Sequence, residues 1–250
     1  MAILTLIRGT TTMRTNPTHS PGLAVLLAGL FILLSAGCEA DPAAVLDEPR
    51  FLAVQADPPR LAEDQPVALE ALTFQMGDEL RWQWCPSNWV SPPLDSDSDA
   101  LLCSSGDAVS LGVGPTVTLD PPNDLSSLWI LVEAPEGVEA LPAVRLLEAT
   151  GAEANPEITA IIQLGPQPAP PAGVEEEISL AVAFGPDETS GDHVATWYVT
   201  AGELLPNRSV GEESVTFTTP STPGGVEVVV VVRGTDGGVS WLTRTIEVGE

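Results

Sequence analysis

Short runs in which apolar and polar residues alternate dominate the chain from residue 51 onward. The clearest is Glu79–Cys85, where Leu80, Trp82 and Trp84 share one face and Arg81 and Gln83 share the other. A period of two is typical of a β-strand with one buried face. Similar runs, separated by Gly and Pro turns, predict further strands at 51–56, 67–74, 108–113, 116–119, 128–133 and 143–147.

The second half of the chain repeats this plan. Val194–Val199 is centred on Trp197 as the earlier strand is centred on Trp82. The unbroken run Val228–Val232 predicts a strand buried on both faces, and the turn Asp236-Gly237-Gly238 predicts a hairpin after it. The strands predicted in this half are 158–162, 177–184, 194–199, 214–219, 226–233 and 239–248.

The pattern breaks at residues 150–156, which contain Gly151 and the pair Asn155-Pro156. We place a linker there, between one domain at 48–149 and another at 157–250. Regular short strands joined by turns predict an all-β fold made of two sandwiches.

This two-fold plan resembles the tandem immunoglobulin-like domains of many bacterial surface proteins. The resemblance covers about residues 48–249 and lies in the order of the strands, with a Trp strand followed by a closing hairpin in each half. It implies two tandem immunoglobulin-like β-sandwiches. The chain departs from antibody domains because no cysteine pair is placed to join the two sheets of a domain, and the second domain has no cysteine.

The N-terminal region carries a different signal. Leu23–Leu34 is a twelve-residue apolar run. It is too short for a spanning helix, which needs about 20 residues, but it suits the apolar core of a secretory signal. Met13 offers a second start that leaves a signal of ordinary length.

The run ends in Leu33-Leu34-Ser35-Ala36-Gly37-Cys38, which resembles the lipobox of bacterial lipoproteins. The resemblance implies that residues 1–37 are a cleaved signal segment and that Cys38 becomes a lipidated N-terminus in the bilayer. Residues 38–47 are then predicted to be a flexible tether. Glu39, in the position where Asp retains enteric lipoproteins in the inner membrane, favours delivery to the outer membrane of the cell envelope.

Charge excludes one class of partner. The residues after Gly37 contain seven Arg and no Lys against 35 Asp and Glu, a net charge of −28. Nucleic acid requires Lys and Arg to neutralise its phosphates, so the composition excludes nucleic-acid binding. It leaves weak binding of divalent cations open.

Cys85 and Cys103 are the only thiols after Cys38. An exported protein folds in an oxidising compartment, so we predict a disulfide between them. Closing a loop of this length contributes about 3 kcal/mol on the chain-entropy model. A metal site at these thiols lacks further ligands, because the only histidine after the signal segment is His193, in the other half.

The loop between these cysteines holds the candidate binding residues. Asp95, Asp97 and Asp99 stand at alternate positions, a spacing that lets carboxylates converge on calcium, although the glycine and distal Glu of an EF-hand loop are absent. The alternative is a solvated acidic loop. Trp89 either contacts a protein or glycan partner or caps the core of its own domain.

Signatures of catalysis are missing from the sequence. It contains no Gly-x-Ser-x-Gly motif, and His193, at the start of a predicted strand, is expected to be a surface residue. We therefore predict no catalytic residues and no cofactor other than calcium. The function predicted is that of a non-catalytic, envelope-anchored lipoprotein that binds or supports a partner through its sandwich loops. The alternatives are a calcium-stabilised adhesive module and a secreted hydrolase.

Overall fold

The computed structural model of the protein describes residues 44–86, 108–122, 125–165, 171–188 and 190–249. These residues form β-strands joined by turns, with a 3-10 turn at Ser190–Asp192 directly before the strand that begins at His193. Within the same ranges no helix has the length and apolar character needed to cross a membrane. The fold is all-β, as predicted.

Seven of the described strands build the first sandwich. They are β1 Arg50–Asp57, β2 Val67–Phe74, β3 Arg81–Pro86, β4 Val109–Val113, β5 Thr116–Leu119, β6 Ser127–Glu133 and β7 Ala143–Glu148. The sheet orders are β1-β2-β5 and β4-β3-β6-β7, and all pairs are antiparallel. Trp82, Leu128 and Leu147 from one sheet meet Val67 and Leu69 from the other in the core.

Eight of the described strands build the second sandwich. They are β8 Ile158–Leu164, β9 Glu177–Phe184, β10 His193–Val199, β11 Glu203–Leu205, β12 Arg208–Val210, β13 Val215–Thr218, β14 Gly224–Gly234 and β15 Val239–Val248. The sheet orders are β11-β13-β9-β8 and β12-β10-β14-β15. The sheet that contains β10 has the same strand order as β4-β3-β6-β7, and the sheet that contains β9 repeats β1-β2-β5 with β11 added. The immunoglobulin-like or fibronectin-III-like sandwich therefore occurs twice.

A tryptophan occupies the equivalent central strand of each sandwich. The side chains of Trp82 in β3 and Trp197 in β10 are completely buried. Each indole N–H still has an acceptor, the carbonyl of Gly114 at 2.7 Å and the hydroxyl of Ser209 at 3.0 Å. A buried Trp needs such an acceptor, so these pairs let the largest side chain fill each core without an unpaired donor.

The two sandwiches pack on each other through the outward faces of two sheets. Leu52 and Ala53 of the first sandwich share an apolar cluster with Val229, Val231 and Val239 of the second. The inward face of β14, including Val228 and Val230, belongs to the second core. This strand is therefore buried on both faces, as its uninterrupted valines predict.

The predicted flexible tether is wrong for residues 44–47. Ala44 is only 1% exposed and packs into the core of the second sandwich. Val45 bridges to Val199 in parallel, and the Leu46 N–H donates to the Val199 carbonyl at 2.7 Å. Burial of these apolar side chains and the added backbone pairing fix the segment, which the sequence alone presents only as a short Ala-rich stretch.

Candidate functional site: the junction between the sandwiches

Most residues that the sequence singles out lie outside the described residues: Cys38, Trp89, Asp95, Asp97, Asp99 and Cys103. Their lipidation, binding and calcium roles stay predictions. Cys85 is described near the end of β3, where it is 2% exposed. Its pairing with Cys103 is likewise a prediction.

His193 is not the surface residue that the sequence predicts. It is 8% exposed, and its ring stacks on Phe184 at a centroid distance of 5.2 Å. Its Nε2 lies 3.4 Å from a carboxylate oxygen of Glu188. His193 begins β10, whereas Phe184 ends β9 in the other sheet and Glu188 lies in the turn after β9. The packing of the two sheets places Phe184 and Glu188 against the imidazole ring and buries it.

The cavity beside His193 has about 230 Å³ and is also lined by Asp192, Asp236 and Thr235. A histidine near a hydroxyl is the arrangement in which a hydrolase would activate its nucleophile. Here Nε2 faces Glu188, and Nδ1 is buried with no hydrogen-bond partner among the described residues. No three His, Cys, Asp or Glu side chains among the described residues are close enough to hold a metal ion. The cavity thus shows neither a base aimed at a nucleophile nor a metal centre in this part of the chain.

The most elaborate polar arrangement in the described part of the chain lies where the sandwiches meet. Strand β1 is at the edge of its sheet, because β2 is its one pairing partner among the described strands. An edge strand exposes backbone groups that a foreign strand can pair with. In β1 the carbonyls of alternate residues accept side-chain donors instead: from Arg233 Nη2 to Leu52 at 3.0 Å, from Arg145 Nη1 to Val54, and from Asn155 Nδ2 to Ala56 at 2.8 Å.

Further bonds tie the same groups to the hairpin between β14 and β15. Asn155 Oδ1 accepts from the backbone N–H of Val239 at 2.9 Å, and Gln55 Nε2 donates to the Val239 carbonyl at 2.7 Å. Arg145 Nη2 donates to the carbonyl of Gly237 at 2.8 Å. Residues of the first sandwich, the linker and the second sandwich therefore form one hydrogen-bonded network. We call it the junction.

Arg145 is the unusual member of the junction. It is 9% exposed, and burial, together with the nearby charge of Arg233, lowers its pKa to about 10. Within the described residues, neither of these arginines has a carboxylate within ion-pair distance. Among the described residues, the acceptors that stabilise these two positive charges are neutral oxygens, in a chain whose net charge is strongly negative.

A groove of about 650 Å³ opens at the junction between the start of β1 and the start of β7. Arg50, Arg145 and Arg233 line it, as do Glu48 and Glu139. The remaining lining is largely apolar, including Phe51, Leu52, Val54, Leu141, Pro142, Val144 and Val239.

Sequence reasoning missed the junction, although β7 contains one sign of it. In the alternation of β7, Arg145 shares its face with the core residue Leu147, whereas Val144 and Leu146 are the exposed residues. A charged residue in phase with a buried face indicates a buried polar network. The partners of Arg145 lie 91 and 92 residues away in sequence, so no local pattern identifies them.

No protein-family model and no curated protein matches the chain. Among solved structures it is similar to the fibronectin(III)-like modules of Clostridium thermocellum CbhA, with 10% identity and a TM-score of 0.28 over 78% of this chain and 93% of that one. It is also similar to the N-terminal eight Ig domains of Down Syndrome Cell Adhesion Molecule, with 14% identity and a TM-score of 0.24 over 82% of this chain and 24% of that one. For murine CEACAM1b the values are 12% and 0.25, over 81% of this chain and 99% of that one. Similarity at this level identifies neither an activity nor a partner. The assignment of the fold rests on the strand order of the four sheets.

Proposed function

We propose that the protein is a non-catalytic lipoprotein of the bacterial cell envelope, held in the outer membrane by acyl chains such as palmitate on Cys38. It acts as a binding or structural module. The sequence Leu33–Cys38 supports the lipid anchor, and Glu39 supports delivery to the outer membrane. The two joined sandwiches support a scaffold role, because rigid sandwiches position loops for contacts with partners.

The observation that carries the proposal is the short distance in sequence between Cys38 and a buried residue. Ala44, six residues after Cys38, packs into the core of the second sandwich. Six residues of extended chain span about 20 Å at most. In an acylated protein the two sandwiches would therefore lie close to the bilayer. The Val45–Val199 bridge would hold the chain that leads to Cys38 against the second sandwich.

Recognition is assigned to the loop after β3. Trp89 is proposed as the contact with a protein or glycan partner, and Asp95, Asp97 and Asp99 as its polar rim or as calcium ligands. The net charge of −28 repels anionic headgroups and nucleic acid, so lipid contact is confined to the acyl chains.

The test is fractionation of cells that express the wild-type protein or Cys38→Ala. The wild type should incorporate labelled fatty acid and sediment with outer membranes, whereas Cys38→Ala should incorporate no label and leave that fraction. Unlabelled wild type, or Cys38→Ala that stays with the membranes, contradicts the proposal. Glu39→Asp is the matched control: it should remain labelled and shift to the inner membrane.

A further inference from the structure

We propose that the groove at the junction is a binding site for a carboxylate carried on a small apolar body. The lining residues belong to the described parts of both sandwiches, and the proposal uses neither Cys38 nor residues 87–107. The proposal therefore does not rest on the proposed function.

Charge is the first argument. Only seven arginines follow the signal segment, and three of them line this groove. Arg50 pairs with Asp47 at 3.1 Å, on the rim. Arg145 and Arg233 face only neutral acceptors, so the negative partner that would balance their charges is not among the described residues.

Unused donors are the second argument. A guanidinium has five N–H donors in a planar fork that matches a carboxylate. Arg145 donates through its two Nη atoms to the carbonyls of Val54 and Gly237, and its buried Nε has no partner in the part of the chain that the structure describes. Arg233 donates through Nη2 to the carbonyl of Leu52, and its Nη1 is 3.5 Å from the Thr196 hydroxyl. Both arginines are held in place and keep donor capacity.

Shape is the third argument. A volume of about 650 Å³ falls within the range of sites for small organic ligands, which combine apolar walls with a few fixed polar groups. Leu52 and Val54, on one wall, belong to the capped edge of β1. Leu141, on the other side, is 88% exposed, which is unusual for a leucine and places an apolar side chain at the entrance.

The test is a titration of ¹⁵N-labelled protein, residues 38–250 with Cys38→Ala, with N-acetyl-Val-Leu. The free acid should shift the amide signals of Leu52, Val54 and Val239 saturably, and the C-terminal amide of the same dipeptide should bind at least tenfold more weakly. Hexanoate forms a further arm. Binding as tight as that of the dipeptide assigns the site to simple organic acids, and weaker binding assigns it to peptide C-termini.

Variants separate the site from general charge effects. Arg233→Gln should weaken binding of the acid at least tenfold. Arg244→Gln is the matched control, because Arg244 also donates to a backbone carbonyl, that of Ile161 at 2.8 Å, but lies outside the groove. It should leave binding unchanged.

A third variant keeps the test valid if Arg233→Gln disturbs the fold. Glu139→Gln removes an exposed negative charge from the groove and should strengthen binding of the acid. The proposal is overturned if the acid produces no saturable shifts up to about 10 mM, a limit that corresponds to very weak binding. It is also overturned if acid and amide bind equally, or if Arg244→Gln weakens binding as much as Arg233→Gln.

Discussion

At the scale of single residues, Arg145 shows how the junction balances a cost against a gain. Burying a guanidinium without a carboxylate is unfavourable, which the lowered pKa of Arg145 reflects. The gain is that its donors satisfy the carbonyls of Val54 and Gly237. Loss of a buried partner costs more than the bond itself contributes, because the remaining group is left desolvated.

We therefore expect Arg145→Met to lower the free energy of unfolding by about 2–4 kcal/mol, since two carbonyls lose their donors. Arg81→Met is the control. Arg81 is half-exposed and pairs with Glu133 at 3.5 Å, so its loss should cost less than about 1 kcal/mol. Urea unfolding measures both. Equal effects of the two substitutions would show that Arg145 does not support the junction.

The same residue gives a prediction about pH. The pKa of folded Arg145 is about 10, below its ordinary value, so only above that pH does the folded state bind fewer protons than the unfolded state. Loss of the Arg145 proton therefore raises the free energy of unfolding only in strongly alkaline solution. The difference in stability between wild type and Arg145→Met should be constant between about pH 6 and pH 9. A slope in this difference would contradict the assignment.

Residue environments were predictable where one strand determines them. The alternation over residues 79–85 correctly places Leu80 and Trp82 in the core. Burial of His193 was not predictable, because the ring is covered by Phe184 and Glu188, whose approach depends on how β9 and β10 are arranged. The sites on Cys38, Trp89 and the Asp95–Asp99 segment stay predictions from sequence.

At the scale of elements, β14 is the strand whose burial on both faces follows most directly from its sequence. Val230 faces the core of the second sandwich and Val231 faces the first sandwich, and both are completely buried. Periodicity found the strands of four or more residues but missed β11 and β12, which have three residues each. Three residues are too few for a period of two to stand out.

Val230→Thr and Val231→Thr should each destabilise the protein, by about 1–3 kcal/mol, because each places a hydroxyl in an apolar contact. Val194→Thr in the neighbouring β10 is the control, since Val194 is 39% exposed and the change should be nearly neutral. Thermal unfolding compares the three variants. If Val231→Thr is as neutral as Val194→Thr, the outward face of β14 is not packed against the first sandwich.

At the scale of the whole molecule, the hydrogen bonds of the junction connect the two sandwiches through the linker. The sequence predicts the linker at 150–156 from its Gly and Pro. It does not predict that Ala152 bonds to the second sandwich or that Asn155 bonds to both sandwiches. Those bonds need the hairpin of β14 and β15, more than 80 residues further along the chain for Asn155.

Residues 38–250 with Cys38→Ala should therefore unfold in a single calorimetric transition. Asn155→Ala should destabilise the protein, by about 1–3 kcal/mol, and broaden or split that transition, because Ala56 and Val239 both lose a partner. Two separate transitions in the protein that retains Asn155 would show that the sandwiches unfold independently.

We propose that a lipid on Cys38 attaches this double sandwich to the envelope. Mass spectrometry of the N-terminal peptide, released from protein extracted from membranes, tests that claim most directly. We expect the peptide to begin at Cys38 and to carry the mass of acyl chains, with nothing retained from residues 1–37. A peptide that begins at Met1 or Met13, or one that begins at Cys38 without added mass, would contradict it.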